Sequence, residues 1–488
     1  MKLKHVFLFF SILVILFSCR RDEDFIEDSS AKVNFSTDSI SFDTVFTTIG
    51  SATHNFRIYN PHSDRIKISS IRLNGGSSSN FRINVDGQAG TSFNDIEIAS
   101  KDSAFVFVEV TVNPSDSSNP FVIEDFIEFN TNGNSQRVIL TAWGQNAIYY
   151  TPTTFNRNLP DFTCLTGPCG DDIPPVDVTW TDSLPIVVYG FIAVDTADRL
   201  TIEAGTRVYF HNSGGMWVYK GGTLKVNGTK ESPVLFTGDR LEAQYANIPG
   251  QWDRIWINEG GVNEINYAII ENAFVGIQAE ALFLDAIEPP LGNLTIRNTI
   301  INNCSGIGLL SAYFNFVGEN LVITNCGESN TILQAKGNWR FDHSTIANYS
   351  TFSSRETPAF FVKNSYNAAG KLKIDTPLVS IRNSIIHGNE DSEFEIEIVN
   401  NGGVGIRVLN SILKTEVNTS NAAIFSNVIK NPSGQIFNDA GANDFELFDM
   451  SVAKDQGDAT VGNAIRFDLN GEDRTLDSAP DMGAYEFK

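Results

Sequence analysis

Between Val33 and Tyr150 apolar and polar residues alternate in short runs divided by turn residues. Asn55-Phe-Arg-Ile-Tyr-Asn60, Ala104-Phe-Val-Phe-Val-Glu-Val-Thr-Val112 and Phe126-Ile-Glu-Phe129 keep a period of two, which turns one strand face to a core and the other to water. A Thr131-Asn-Gly-Asn134 turn leads into Val138-Ile-Leu-Thr-Ala142. About seven such strands predict an antiparallel immunoglobulin-like β-sandwich over residues 33–150. Residues 151–183, rich in Pro, Asp, Thr and Gly, read as a linker with a small loop at Cys164-Leu-Thr-Gly-Pro-Cys169.

From residue 184 the pattern changes to self-similarity. Arg297-Asn-Thr-Ile-Ile-Asn-Asn-Cys304 matches Glu319-Asn-Leu-Val-Ile-Thr-Asn-Cys326 at a spacing of 22 residues, and Asp342-His-Ser-Thr-Ile-Ala-Asn348 follows 23 later. Asn266-Tyr-Ala-Ile-Ile-Glu-Asn272 precedes this set; Arg382-Asn-Ser-Ile-Ile386 and Leu409-Asn-Ser-Ile-Leu413 continue it. Short β-branched runs with Asn and Gly corners at this period predict a parallel β-helix over 184–488, closed by a C-terminal cap, with coils stacked about 4.8 Å apart. The class is therefore all-β. The stretch Ser350–Leu378 exceeds one coil and holds either a degenerate coil or a loop thrown out from the stack.

Composition narrows the partners. The 488 residues include 35 Lys and Arg against 58 Asp and Glu, a formal charge of −23, and such a surface repels phosphate backbones, so no nucleic-acid partner is expected. A hydrophobic share of 42% supplies a core and argues against disorder.

The N-terminus carries an address. Lys2 and Lys4 precede an apolar run from Val6 to Phe17, the form of a secretory signal over residues 1–18. The ending Leu16-Phe-Ser-Cys19 resembles the lipobox of bacterial lipoproteins, which implies acylation of Cys19 and a membrane partner through that anchor. The following acidic tether, residues 19–32 with Asp22-Glu-Asp24 and Glu27-Asp28, is similar to that of surface-exported lipoproteins of Bacteroidetes-type bacteria. The resemblance implies an outer-membrane, cell-surface location.

Leu200 to Phe210, Gly221 to Thr229, Pro233 to Gly238 and Gly250 to Trp256, together with the ending Asp481-Met-Gly-Ala-Tyr-Glu486, resemble bacterial right-handed β-helix proteins of the pectin-lyase-like superfamily. That superfamily includes polysaccharide lyases and glycoside hydrolases, so a polysaccharide is the partner the resemblance implies. The polygalacturonase motifs are not recognisable at equivalent coil positions, and Asp171-Asp172 falls in the linker. The catalytic residues stay unassigned.

Candidate chemistry is sparse. Cys164 and Cys169 predict a disulfide; Cys304 and Cys326 occupy equivalent places on adjacent coils, where both a bridge and a stacked pair of reduced thiols fit. Arg297 and Arg382 are candidate ligand contacts, but their column reads Asn266, Arg297, Glu319, Asp342, Arg382, which also describes a ladder of ion pairs. Trp217, Trp252, Trp256 and Trp339 are candidates for sugar stacking, with Trp252 and Trp256 on one face if the strand is regular. His343 aligns with Asn298, Asn320 and Asn383 as a corner substitute, and His211 and His387 have no evident partner. No cofactor or metal is expected; a calcium ion is the nearest candidate, at Asp468-Leu-Asn-Gly-Glu-Asp473, whose spacing departs from the EF-hand. The expected function is a non-catalytic binding or structural role at the envelope with a glycan as ligand, the alternative being a polysaccharide lyase or glycoside hydrolase.

Overall fold

The computed structural model describes residues 24–487 apart from 48–49, 114–120, 171, 284–287, 353, 369 and 477. The expected signal and Cys19 lie outside the described residues. The fold is all-β, with one short helix at Ala459–Ala464. Among the described residues no helix is long and apolar enough to cross a membrane. The chain divides into two compact units, Met1–Asn146 and Ala147–Lys488.

The first unit has two five-stranded sheets. One runs in the order 34–35, 54–59, 103–110, 81–85, 88–90, the other 39–46, 134–145, 121–131, 66–73, 92–98. All neighbours are antiparallel except 39–46, which lies parallel to 134–145. The alternation read from the sequence is realised directly: Phe56, Ile58, Val106 and Val108 from one sheet and Ile68, Phe129 and Leu140 from the other fill one core.

In the second unit 22 strands join a single sheet whose neighbours are parallel. The chain returns over itself so that each passage, or rung, pairs with the one before. Three ladders result. One runs Asn227, Asn266, Arg297, Glu319, Asp342, Arg382, Leu409. The second runs Leu235, Ile269, Ile300, Val322, Thr345, Ile385, Ile412, Ile429. The third runs Trp217, Trp256, Gln278, Leu310, Ile332, Phe361, Glu395.

The corners explain the recurrent Asn. Asn298, Asn320, Asn383 and Asn410 have φ between 45° and 50°, the left-handed region that most side chains avoid and Asn tolerates. Their amides also bond vertically: Asn320 Nδ2 donates to Asn298 Oδ1, and Asn298 Nδ2 to Asn266 Oδ1, each at 2.9 Å. His343 takes the same corner with φ 45° and accepts on Nε2 from Asn383 Nδ2 at 3.0 Å.

Other segments join by routes the period does not reveal. The stretch 151–183, read from sequence as a linker, lays Phe162–Cys164 beside Phe191–Ala193 and Asp177–Trp180 beside Arg199–Ile202, both in parallel. Cys164 and Cys169 are bridged there, with Cα atoms 5.2 Å apart. Cys304 and Cys326 are buried free thiols, the second of the two arrangements that fit the sequence. The 350–378 stretch does both of the expected things. Phe360–Lys363 enters the third ladder, while Ser365–Ala368 and Lys371–Ile374 form a hairpin outside it.

The C-terminal segment runs along the side of the rungs. Phe437, Phe445, Leu447 and Met482 pack on Ile385 and Ile412, and Leu469 and Ala484 on Val322, covering the outer face of the second ladder. The corner amides hold it: Asn320 Nδ2 donates to Phe467 O at 2.8 Å, Asn383 Nδ2 to Asp458 O at 3.0 Å, and Asn410 Nδ2 to Gln456 O at 2.7 Å.

Candidate functional site

The third ladder keeps an outer face on which polar and aromatic groups converge. Its strand Trp252–Ile257 is irregular, because the register against the next rung slips between Arg254 and Ile255. The slip breaks the period of two, so Trp252 points inward and Trp256 outward, and the expected shared face is not formed. Trp256 stacks on Trp217 of the rung below, with centroids 5.1 Å apart, and its Nε1 donates to Glu280 Oε1 at 2.9 Å.

Glu280 is the hub. Gln278 Nε2 donates to the same Oε1 at 2.7 Å, and the hydroxyl of Tyr366, brought in by the external hairpin, donates to Oε2 at 2.7 Å. Arg254 Nη1 donates to Gln278 Oε1, and Arg254 Nε to Asp253 Oδ1 at 2.6 Å. Beside the guanidinium stands Phe274, 47% exposed, with its centroid 5.7 Å from Arg254 Cζ. A second tyrosine–carboxylate pair, Tyr313 to Asp375 at 2.5 Å, supports the hairpin, and the two tyrosine rings lie 6.0 Å apart. Burial, then the partner carboxylates, pushes both phenols well above the usual range, so they act as fixed donors. The set presents the exposed Phe274 ring and the part-exposed Arg254 and Trp256 over about two rungs, held in place by the buried Gln278 and Glu280. That is a complement for a polyhydroxylated ligand.

No family model matches the chain, and no curated protein matches it. Among solved structures it is similar to the catalytic unit of a thermostable GH87 α-1,3-glucanase from Streptomyces thermodiastaticus, at 10% identity over 78% of this chain and 86% of that one, with a TM-score of 0.22. It is similar also to a family 123 glycoside hydrolase from Clostridium perfringens, at 10% identity and TM-score 0.17 over 23% of this chain, which spans only 25% of that protein. A PapD-like domain of human CEP192 aligns at 12% identity over 27% of this chain and 96% of its own length, with a TM-score of 0.18. Likeness this slight specifies no function, which has to come from the side chains.

The remaining candidates separate cleanly. Trp252 and Trp339 are closed inside the core and offer no ring face to a ligand; Trp252 stacks on Phe210 at 4.4 Å and donates to Glu271 O, and Trp339 Nε1 donates to Ser311 Oγ. Arg297 and Arg382 sit on the first ladder. Arg297 Nε meets Glu319 at 2.8 Å, Arg340 bridges Glu319 and Asp342 at 3.0 Å each, and Arg382 grips Asp342 through two contacts of 2.6 Å. The guanidiniums are engaged as an ion-pair ladder beside a shallow cleft of about 220 Å³ lined by Asn293, Asn315 and Asn338. Among the described residues no group of three or more His, Cys, Asp or Glu is placed to hold a metal. The calcium-like turn spends its carboxylates internally: Asp468 accepts from Glu472 N and Glu486 N, and Asp473 pairs with Arg466 at 2.6 Å.

Sequence reasoning missed Arg254, Phe274, Gln278, Glu280 and Tyr366. Gln278 and Glu280 were findable, since they alternate with the inward Ile277 and Ala279. Tyr366 was not, because its reach depends on the hairpin. The histidines have partners after all. His211 Nδ1 lies 2.7 Å from Asp239 Oδ2, and this hydrogen bond raises the imidazole above its usual range. His387 Nδ1 lies 2.7 Å from the Tyr349 hydroxyl; burial, then Lys414, lowers it to about 4.

Unfolded His titrates near 6.5, so between roughly pH 6.5 and 4 the unfolded chain binds more protons at His387 than the folded one. The stability His387 supports is whole above pH 6.5 and drains away on acidification, by up to about 3 kcal/mol below pH 4. Buried His343, also lowered by desolvation, acts in the same direction. Urea midpoints measured from pH 7 to 4 should fall less steeply for His387→Gln than for the native chain; equal slopes would refute this role.

Proposed function

We propose that this chain is a lipid-anchored envelope protein, acylated at Cys19 and displayed at the cell surface of a Bacteroidetes-type bacterium. In this reading an immunoglobulin-like module precedes a right-handed, pectin-lyase-like β-helix that binds a glycan without cleaving it. The parallel ladders, the period of 22 residues and the Asn corners support the β-helix. The binding role rests on one observation: Trp256, Gln278 and Tyr366 all donate to Glu280, which fixes one end of a polar row that runs through Gln278 and Arg254 to the exposed Phe274. A glycosidase needs two carboxylates facing each other across the scissile bond, one of them a proton donor, whereas Asp253 here is turned onto Arg254.

The test is a panel of neutral and acidic glycans presented to the full chain, read for retention and for new reducing or unsaturated ends. Retention without product is expected, and Phe274→Ala and Glu280→Gln should each weaken it about tenfold, the equivalent of about 1.4 kcal/mol. Product from any glycan would replace this reading with the enzymatic one. Retention that ignores both substitutions would remove the third ladder as the site.

A further inference from the structure

The chain from Asp24 onward is not a free tether, although residues 19–32 read as one. Phe25 pairs in parallel with Arg65, and Ile26 N donates to Arg65 O at 2.8 Å. Lys67 Nζ lies 4.6 Å from the centroid of the Phe25 ring. Three amide side chains around one hairpin turn then clamp the backbone. Asn132 Nδ2 donates to Ile26 O at 2.9 Å, Asn134 Nδ2 to Ser29 O at 2.7 Å, and Gln136 Nε2 to Val33 O at 2.9 Å. Ala31 and Val33 are buried, so the segment is part of the first unit's packing.

Resting on the lipid-anchor reading above, we propose that the end of the first unit bearing Arg65, Lys67 and the 131–134 turn is a surface apposed to the bilayer. Five chain steps separate Cys19 from Asp24, and fully extended they reach about 17 Å at roughly 3.4 Å per residue. Acyl chains on Cys19 begin at the headgroup boundary, so the stapled end stays within that reach of it. Charge does not supply the attraction, because residues 20–28 carry Arg20 and Arg21 against Asp22, Glu23, Asp24, Glu27 and Asp28. The apposition comes from a short leash and is insensitive to salt, which screens exposed charges but not buried alkyl chains. The unit is a base held close to the membrane.

Energy transfer to a headgroup dye in phosphatidylcholine vesicles tests this on the full-length lipidated chain. Donor dyes go on Ser135→Cys and Val122→Cys; both native sites are exposed, and Cys304 and Cys326 are buried away from the label. Ser135 pairs with Asn130, eight residues along the strand from Val122, which separates the two dyes by roughly 26 Å. Transfer from position 135 should exceed that from 122 several-fold, alike in low and high salt. A 15-residue Gly/Ser insertion after Asp22 should bring the two close to equality, and Asn132→Ala with Asn134→Ala should move the ratio the same way. Equal transfer from both positions in the native-length chain would overturn the proposal. The mass of the N-terminal peptide separates the two failures: an unmodified Cys19 removes the anchor and this inference together, while an acylated Cys19 with equal transfer removes this inference alone.

Discussion

Arg474→Ala should destabilise the second unit by about 3–5 kcal/mol, the loss expected when one partner of a buried ion pair is removed. The Arg474 side chain is wholly buried; Nη1 donates to Glu486 Oε2 at 2.9 Å, and Nη2 to Asn320 Oδ1 at 3.0 Å and Ala484 O at 3.2 Å. Truncation takes the charged partner from the Glu486 carboxylate, which keeps the Asp481 N–H, and a donor from one corner amide. Burial works against the charged guanidinium, and Glu486, then Asp468, opposes that effect, so Glu486 is its main compensating charge. Adding Glu486→Gln to Arg474→Ala should therefore recover part of the loss, and the non-additivity measures the coupling. Urea unfolding of the four proteins checks it. A single-variant loss below about 1 kcal/mol would show that the C-terminal segment does not depend on this pair.

Trp339→Ala should cost a similar amount, about 3–5 kcal/mol, as a large ring leaves a closed core. Its indole donates to Ser311 Oγ at 2.8 Å, and the rung makes room for it: a Cβ on Gly337 would come within 2.5 Å of the ring. Glycan retention by the folded fraction should not change. Phe274→Ala should do the reverse, weakening retention while leaving stability within about 1 kcal/mol, because an exposed side chain has few contacts to lose. Chemical unfolding and glycan retention measured on the two variants separate a core aromatic from a contact aromatic. A loss of retention in both would mean that Trp339 reaches the ligand through the strand it supports.

The contrast shows what the sequence makes legible. Repetition at 22 residues predicts vertical neighbours, and Asn320 over Asn298 and Arg297 beside Glu319 are found so. Which face a residue occupies follows from alternation only while the strand is regular, and the slip after Arg254 is enough to send Trp252 and Trp256 to opposite sides. Segments outside the repeat gave no such signal. The 151–183 stretch looks like a connector by composition, yet its strands pair with the first rungs, and Tyr366 reaches Glu280 across 86 residues of chain. The N-terminal strands were readable because each strand's own pattern sufficed. The third-ladder site was legible only at Gln278 and Glu280, because two rungs and a hairpin assemble the whole.

The lateral C-terminal segment also bears on how the protein is made. Arg474 reaches Asn320 across 154 residues, and Phe467 meets the same asparagine across 147. The residues that seal this flank are thus synthesised about 150 residues after the corner they close. Ile300, Val322, Ile385 and Ile412 stay wet until that segment follows, so a chain stalled or clipped before it shows its greasiest side to the surrounding solvent.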